Sequence, residues 1–399
     1  MYWFCEKCKM KVTPGFEQEF SLKCNKCFSI LDLVYDGDIS WKKLDPDLRG
    51  VLRYAELIPV SQRNLQRLSN KQKPEFNLPV ESKKMAQLLG VESVHLLAPI
   101  YGLSGTFKDL EAMVVIGKCL DRKINKRLSW HSTGNTARAY REYAIKANFK
   151  SDSYFPLSCI GKFKGIKKNL DNVLIGYNGP FQDISVIAKN KAQQNDTIHL
   201  APLPWKIEGK AILAYNIFEN LPDTNVIVQT IAGGYGVLGM ELGIKRLKRL
   251  KLFSGENYRY DLFQIEGADT ITKLMPLNKE ITETDLKLPV NPFEPTLQST
   301  NPLSTFNLIR DILVGTGSNI NSVTPEEVIE NSSFFETECR NLGIEISFLD
   351  EKSPFISWAG LVKASNNKKL SKTDRIVIIV TGSKIRTGKI PEPDIIFNL

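Results

Sequence analysis

The chain has 399 residues, 42% apolar and 24% charged, with a net charge of +9. That is the balance of an ordinary soluble protein of two to three domains, and no apolar run approaches the ~18 residues of a membrane span, so no membrane partner is expected. The opening Met1-Tyr2-Trp3-Phe4-Cys5-Glu6 lacks the charged-then-apolar pattern of a secretory leader, which predicts a cytoplasmic location. Basic runs stand at Lys162 to Lys168 and Lys245 to Lys251. In the second, Leu247 and Leu250 keep helical spacing, as on a solvated amphipathic helix, and no nucleic-acid partner is expected.

In chain order the first feature is a cysteine pattern: Cys5-x2-Cys8, fifteen residues, then Cys24-x2-Cys27. Two such knuckles have zinc-ribbon spacing, and four thiolates make a closed tetrahedral site whose metal is structural. Residues 1–35 are therefore expected to form a zinc-ribbon-like segment that draws much of its stability from the metal. Cys119, Cys159 and Cys339 lie scattered and read as ordinary buried residues. Residues 36–75 are polar, carry Pro46 and Pro59, and read as a connector with an exposed loop at Lys71-Gln72-Lys73-Pro74.

From residue 76 onward strands and helices alternate. Strands are predicted at 91–99, 128–130, 159–160 and 172–175, and helices at 107–120 and 137–147. A second half opens near Lys206, with a helix over 207–221 and a strand over 225–230. That strand runs into Ala232-Gly233-Gly234-Tyr235-Gly236 and a helix from Val237, an arrangement that offers backbone N–H groups to a phosphate. The pattern ends with a strand at 262–265, a proline-rich excursion over 276–302, helices at 306–313, 325–342 and 354–365, and a strand at 375–380. The alternation predicts an α/β protein whose sheets are covered on both faces.

Four elements fall at predicted strand ends. Ser104-Gly105-Thr106-Phe107-Lys108-Asp109 sets one lysine just after small residues, a setting in which it can hold an aldehyde cofactor as a Schiff base. Ser132-Thr133-Gly134-Asn135-Thr136 is a turn of hydroxyls and an amide one helix and one strand downstream. The Gly233 to Gly236 turn and Thr381-Gly382-Ser383 complete the set. In open α/β sheets ligands collect at such ends.

The order of these motifs resembles the fold-type-II pyridoxal-phosphate enzymes, and within them the threonine synthase family, over most of the chain. Leu52 to Val60, Ile207-Glu208-Gly209 and Val380-Thr381-Gly382 are similar to further family segments. The resemblance implies two open three-layer α/β/α lobes, 36–205 carrying the lysine and 206–399 carrying the glycine turn and Thr-Gly motif, with part of the N-terminal segment packing on the second. It implies pyridoxal 5'-phosphate as cofactor and Lys108 as the residue that holds it and then moves protons. Asn135 would bond the cofactor's phenolic oxygen, and Gly233, Gly234 and Gly236 would cradle its phosphate. Thr381 would face the pyridine nitrogen, with Ser383 beside it, and Ser132, Thr133 and Thr136 would hold the substrate carboxylate. A hydroxyl at the ring nitrogen does not force it to stay protonated, which favours elimination and replacement over transamination. Family relatives are commonly dimers, so a homodimer acting on a small amino acid is expected.

The chain departs from the family on the substrate side. Leu103, Leu110 and Glu111 stand where the family has Pro, Arg and Gly, and Leu203-Pro204-Trp205-Lys206-Ile207-Glu208-Gly209 replaces an Asn-Pro-x-Arg-x-Glu-Gly segment that binds substrate phosphate. Lys206 keeps the charge there without arginine's two-pronged geometry. The implied activity is a lyase converting O-phosphohomoserine to threonine and phosphate by γ-elimination and β-addition of water. The alternatives are β-replacement of the cysteate or cysteine synthase kind, and a cofactor-binding protein without turnover. His95, His131 and His199 read as core or edge residues, Arg138 and Arg141 as solvated, and Tyr235 as packing on the cofactor ring.

Overall fold

The computed structural model describes residues 2–12, 24–27, 29, 31–35, 39–69, 74–179, 181–200, 204–255, 257–277, 281–286, 293–297 and 302–397. The expected loop at Lys71 to Lys73, and Leu203, lie outside them, as does much of the proline-rich excursion. In chain order the elements are β1 (Tyr2–Phe4), β2 (Lys11–Val12), β3 (Asp32–Val34), α1 (Gln62–Leu68), β4 (Val80–Glu81), α2 (Lys83–Leu89), β5 (Ser93–Leu97) and α3 (Lys108–Asp121). Then come β6 (Leu128–His131), α4 (Asn135–Lys146), β7 (Ser151–Pro156), β8 (Asn172–Tyr177), α5 (Phe181–Gln194), β9 (Ile198–His199), α6 (Pro204–Asn220), β10 (Val226–Thr230) and α7 (Tyr235–Arg249). The chain finishes with β11 (Arg259–Ile265), α8 (Thr270–Leu274), α9 (Phe306–Gly315), β12 (Asn319–Val323), α10 (Pro325–Asn341), α11 (Ser353–Asn366), β13 (Arg375–Ile379) and β14 (Ile395–Phe397).

Two sheets carry the α/β body. One runs β12-β11-β10-β13-β5-β4, parallel except for β4, and the other runs β14-β8-β7-β6-β9, wholly parallel. Strands buried on both faces read as near-continuous apolar runs. In β10 all five residues are buried, Val226 to Val228 apolar and Gln229 and Thr230 polar, with Val226 registered between Arg259 and Ile376. Sheet membership does not follow one cut near residue 205. β5 lies beside β13, and β14 returns to β8.

Local chemistry sets many helix ends. Thr324 and Glu327 form a reciprocal capping box at the start of α10, with Pro325 at its first position. Ser82 accepts from the Met85 amide at 3.2 Å to open α2. The strand expected at 159–160 is instead part of a 3-10 turn over Leu157–Phe163. The strand lies just before it, at β7, where buried Ser151 and Ser153 hide the apolar signal and Pro156, lacking an N–H, closes it. The sequence reading passed over α5, and over β12, whose edge position leaves polar residues half exposed.

The helices that carry the site approach closely because small residues let them. A Cβ on Gly209 of α6 would lie 2.5 Å from both the Glu111 Cα and the Leu110 carbonyl oxygen of α3, so only glycine permits that crossing. The cysteine segment is a three-stranded antiparallel sheet in the order β2-β1-β3. It is pinned by Arg246 of α7, fully buried, which bonds Asp32 at 3.0 Å and Glu208 at 2.9 and 3.0 Å. The basic run of α7 is thus solvated at Lys245, Lys248 and Arg249 but not at Arg246. Among the described residues no helix is long and apolar enough to cross a membrane.

Candidate active site

Lys108 opens α3 at the end of a loop whose shape follows from its residues. The Asp109 carboxylate turns back to accept from the Ser104 amide at 2.9 and 3.2 Å, and the Thr106 hydroxyl accepts from the Lys108 amide at 3.2 Å. The Phe107 amide donates to the Thr381 carbonyl at 3.0 Å, which brings the loop against the end of β13. The Lys108 side chain is about a quarter exposed, and its Nζ lies 3.6 Å from Glu111 Oε2.

Glu111 is the centre of a cluster the sequence reading did not assemble. Its Oε2 also lies 3.3 Å from Nζ of Lys210, a fully buried lysine on α6 that donates to the Phe107 carbonyl at 2.6 Å, and its Oε1 accepts from Thr136 at 3.2 Å. Burial alone would raise the Glu111 carboxyl, but the ammonium groups of Lys108, Lys210 and Lys206 outweigh it and hold it at about 2. Burial pulls Lys210 down to about 7, against the attraction of Glu111. Lys206 sits 5.7 Å from the Tyr140 ring and 6.0 Å from the Tyr235 ring. Burial pulls its ammonium below the usual range, and among the described residues no carboxylate pairs with it.

The second cluster surrounds Asn135, at the start of α4. Its Nδ2 donates to Glu351 Oε2 at 2.6 Å and its Oδ1 accepts from Arg386 at 3.0 Å. Glu351, fully buried, also takes Lys162 at 3.1 Å and the hydroxyls of Thr296 and Ser353 at 3.1 and 2.9 Å. Lys162 bridges on to the equally buried Glu294 at 2.7 Å. Burial opposes ionisation of Glu351, yet Lys162 and Arg386, with the Asn135 amide, hold it at about 2. Thr381 lies at the edge of this network, its hydroxyl 3.0 Å from that of Ser353.

The other expected residues fall as follows. Ser132 accepts from the amides of Gly134 and Ala137, both at 3.0 Å, and so shapes the loop, while Thr133 donates to the Thr296 carbonyl at 2.9 Å and Thr136 to Glu111. Ser383 is fully buried and bonds the carbonyls of Ser347 and Glu351, which fixes the backbone. Arg138 and Arg141 are not solvated. They donate to the carbonyls of Lys162 and Lys164 and of Asn172 and Lys167, tying α4 to the segment that carries Lys162. His131 and His199 stack, with Nδ1 and Nε2 3.0 Å apart, and burial first, then neighbouring charge, lowers them to about 3 and 4. They stay neutral near pH 7, as core residues do. Tyr235 bonds Ser304 at 3.3 Å.

These residues fit a phosphorylated aldehyde cofactor. Lys108 offers a partly exposed amine, and Asn135 keeps one amide hydrogen beyond the one given to Glu351. At the glycine turn Gly234 has φ +78°, and among the described residues the amides of Gly233, Gly234, Tyr235 and Gly236 meet no acceptor. Unsatisfied amides at the start of a long helix are what a phosphate binds. The four cysteines fit a metal: their sulfurs lie within 4.8 Å of one another, Cys5 to Cys27 at 3.3 Å and Cys8 to Cys24 at 3.6 Å, where a tetrahedral zinc with ~2.3 Å bonds sets them about 3.8 Å apart. All four are free of disulfides.

A signal for the missed residues was present. Lys210 stands alone in an otherwise apolar stretch, Gly209 to Ala214, which is the mark of a buried charge with a partner. Glu294, Lys162 and Glu351 lie in loops and short turns, where periodicity says nothing.

Comparison with known proteins bears on the fold and the family. The chain is 23% identical to a threonine synthase of Methanosarcina acetivorans over 91% of its length and 87% of that protein's. It is 22% identical to a threonine synthase of a Bacillus species over 87% and 91%. Its fold is shared with a threonine deaminase of Solanum lycopersicum (TM-score 0.64, 16% identity, covering 88% of this chain and 95% of that one). It is shared also with maize serine racemase (0.61, 18%, 82% and 94%). The model of the family described as pyridoxal-phosphate dependent enzymes matches residues 72–382, and with most of its length so matched the chain belongs to that family.

Proposed function

We propose that this protein is a lyase for a phosphorylated amino acid, converting O-phosphohomoserine and water to threonine and phosphate. The observation that carries the reading is Lys206. It is a half-buried cation set against the Tyr140 and Tyr235 rings, and the carboxylate that acts on it, Glu111, is shared with two other lysines. An anionic substrate group completes that charge balance.

Bound to this chain, pyridoxal phosphate supplies an electron sink for bonds at the substrate's α carbon. Lys108 Nζ would hold the cofactor's aldehyde carbon until substrate arrives, then take the α proton and carry protons in later steps. The remaining amide hydrogen of Asn135 would meet the cofactor's phenolic oxygen, and the Gly233 to Gly236 amides its phosphate. Thr381 would lie against the ring nitrogen. The 132–136 loop would bind the substrate carboxylate through Ser132, Thr133 and Thr136 with their backbone N–H groups, and Lys206 would hold the phosphoryl group that leaves. Structural zinc at Cys5, Cys8, Cys24 and Cys27, a cytoplasmic location and assembly as a homodimer belong to the same proposal.

The test begins with purified protein and added pyridoxal phosphate. A visible absorption band should form and should be absent in Lys108→Ala. Phosphate release is then compared for O-phosphohomoserine and for O-phosphoserine with and without a nucleophile. Release from the first, with a raised KM in Lys206→Met, supports the proposal. Release from the second alone replaces it with β-replacement.

A further inference from the structure

The Thr381 hydroxyl has one side-chain neighbour among the described residues, Ser353 at 3.0 Å. Ser353 in turn lies 2.9 Å from Glu351 Oε1. Glu351 is flanked by Lys162 at 3.1 Å and Arg386 at 3.9 Å, so its oxygens only accept. A serine has one hydroxyl proton, and a bond to a carboxylate is about twice as strong as a neutral one. Ser353 therefore donates to Glu351 and can only accept from Thr381. The Thr381 proton is in turn committed to Ser353, and what Thr381 has left to offer is a lone pair.

We propose that Glu351, acting through Ser353, fixes Thr381 as a hydrogen-bond acceptor, so that a heteroaromatic nitrogen lodged against it is bound with its proton on. This rests on the reading of Thr381 as the neighbour of the cofactor's ring nitrogen, and it reverses what a lone hydroxyl there implies. A protonated ring draws electrons harder than a neutral one. The proposed reaction must strip protons from both the α and the β carbon before phosphate leaves, so it depends on that added pull. Glu351 and Ser353 are thereby positioning residues for the electronics of the site.

The experiment loads the protein with pyridoxal phosphate carrying 15N in the ring and reads the ring nitrogen's chemical shift by NMR near pH 7.5. The protonated and unprotonated free cofactor serve as standards. The wild-type shift should fall at the protonated standard, and Ser353→Ala, which frees the Thr381 proton, should move it most of the way to the unprotonated one. Thr381→Ser should keep the wild-type shift. An unprotonated nitrogen in wild type overturns the proposal, and this measurement needs no variant to fold. A shift indifferent to both Ser353→Ala and Thr381→Val overturns it by removing Thr381 from the ring. Failure to take up labelled cofactor at all is a different result, and overturns the cofactor reading beneath it.

Discussion

Replacing Glu111 by Gln removes the carboxylate on which Lys108, Lys206 and Lys210 converge while keeping its shape. The wild-type carboxyl falls from 4.5 to about 2 on folding. At 1.36 kcal/mol per pH unit this is roughly 3 kcal/mol of stability, complete above pH 4.5 and lost as pH falls through 2. Glutamine imitates the protonated acid, so the variant should lose about 3 kcal/mol at pH 7. Lys210 gives the loss a second signature. Its folded pKa is depressed to about 7 against 10.5 unfolded, so between those values the unfolded chain holds the extra proton and stability rises with pH. By pH 9 Lys210 is already neutral and has less need of Glu111, and the gap between variant and wild type should narrow to about 2 kcal/mol. Urea unfolding followed by tryptophan fluorescence at pH 5.5, 7 and 9 measures both effects. A gap below about 0.5 kcal/mol at pH 7, or one that widens from pH 7 to 9, would refute the reasoning.

Lys162→Met leaves Glu294 and Glu351 buried without their shared cation and should cost about 3–5 kcal/mol in urea unfolding at pH 7. The loss should shrink toward pH 5 as Glu351 takes up a proton, and an unchanged midpoint counts against the network. Gly209→Ala drives a Cβ into the backbone of α3 and should destabilise by about 1–3 kcal/mol in the same assay; a neutral result means that the two helices do not cross so closely. Elemental analysis should find one zinc per chain, and Cys24→Ser should lose it together with several degrees of Tm. A metal-free protein with unaltered Tm removes the metal from the account.

The alternation of strands and helices was legible because its buried parallel strands carry short apolar runs, Val226 to Val228 in β10 and Ile376 to Ile379 in β13. The turns that carry Lys108, Asn135 and the glycines stood out for a different reason: each is a local motif set by a few neighbouring residues. β7 was misread by one segment because it buries serines. The charge clusters were legible only as a single buried lysine, Lys210, without its partners. Glu351 meets Asn135 across more than two hundred residues, and Glu111 meets Lys210 only because Gly209 lets α6 rest on α3. Pairings of that kind belong to topology, and no window along the chain contains both partners.

The two clusters differ in a way that gives the site its polarity. A buried carboxylate costs several kcal/mol unless cations face it. At Glu111 they are oversupplied, three lysines to one carboxylate; around Asn135 they are balanced, Lys162 and Arg386 against Glu294 and Glu351. Bonding Lys108 to a cofactor aldehyde withdraws one of the three, and Lys210 can drop its proton near neutrality, yet Lys206 remains. An anion entering the site therefore gains on the α6 side and gains little beside Asn135. Under the proposed function the orientation follows from this difference: the end of the substrate that carries the leaving group would point at Lys206, and the ring of the cofactor would lie toward the balanced network.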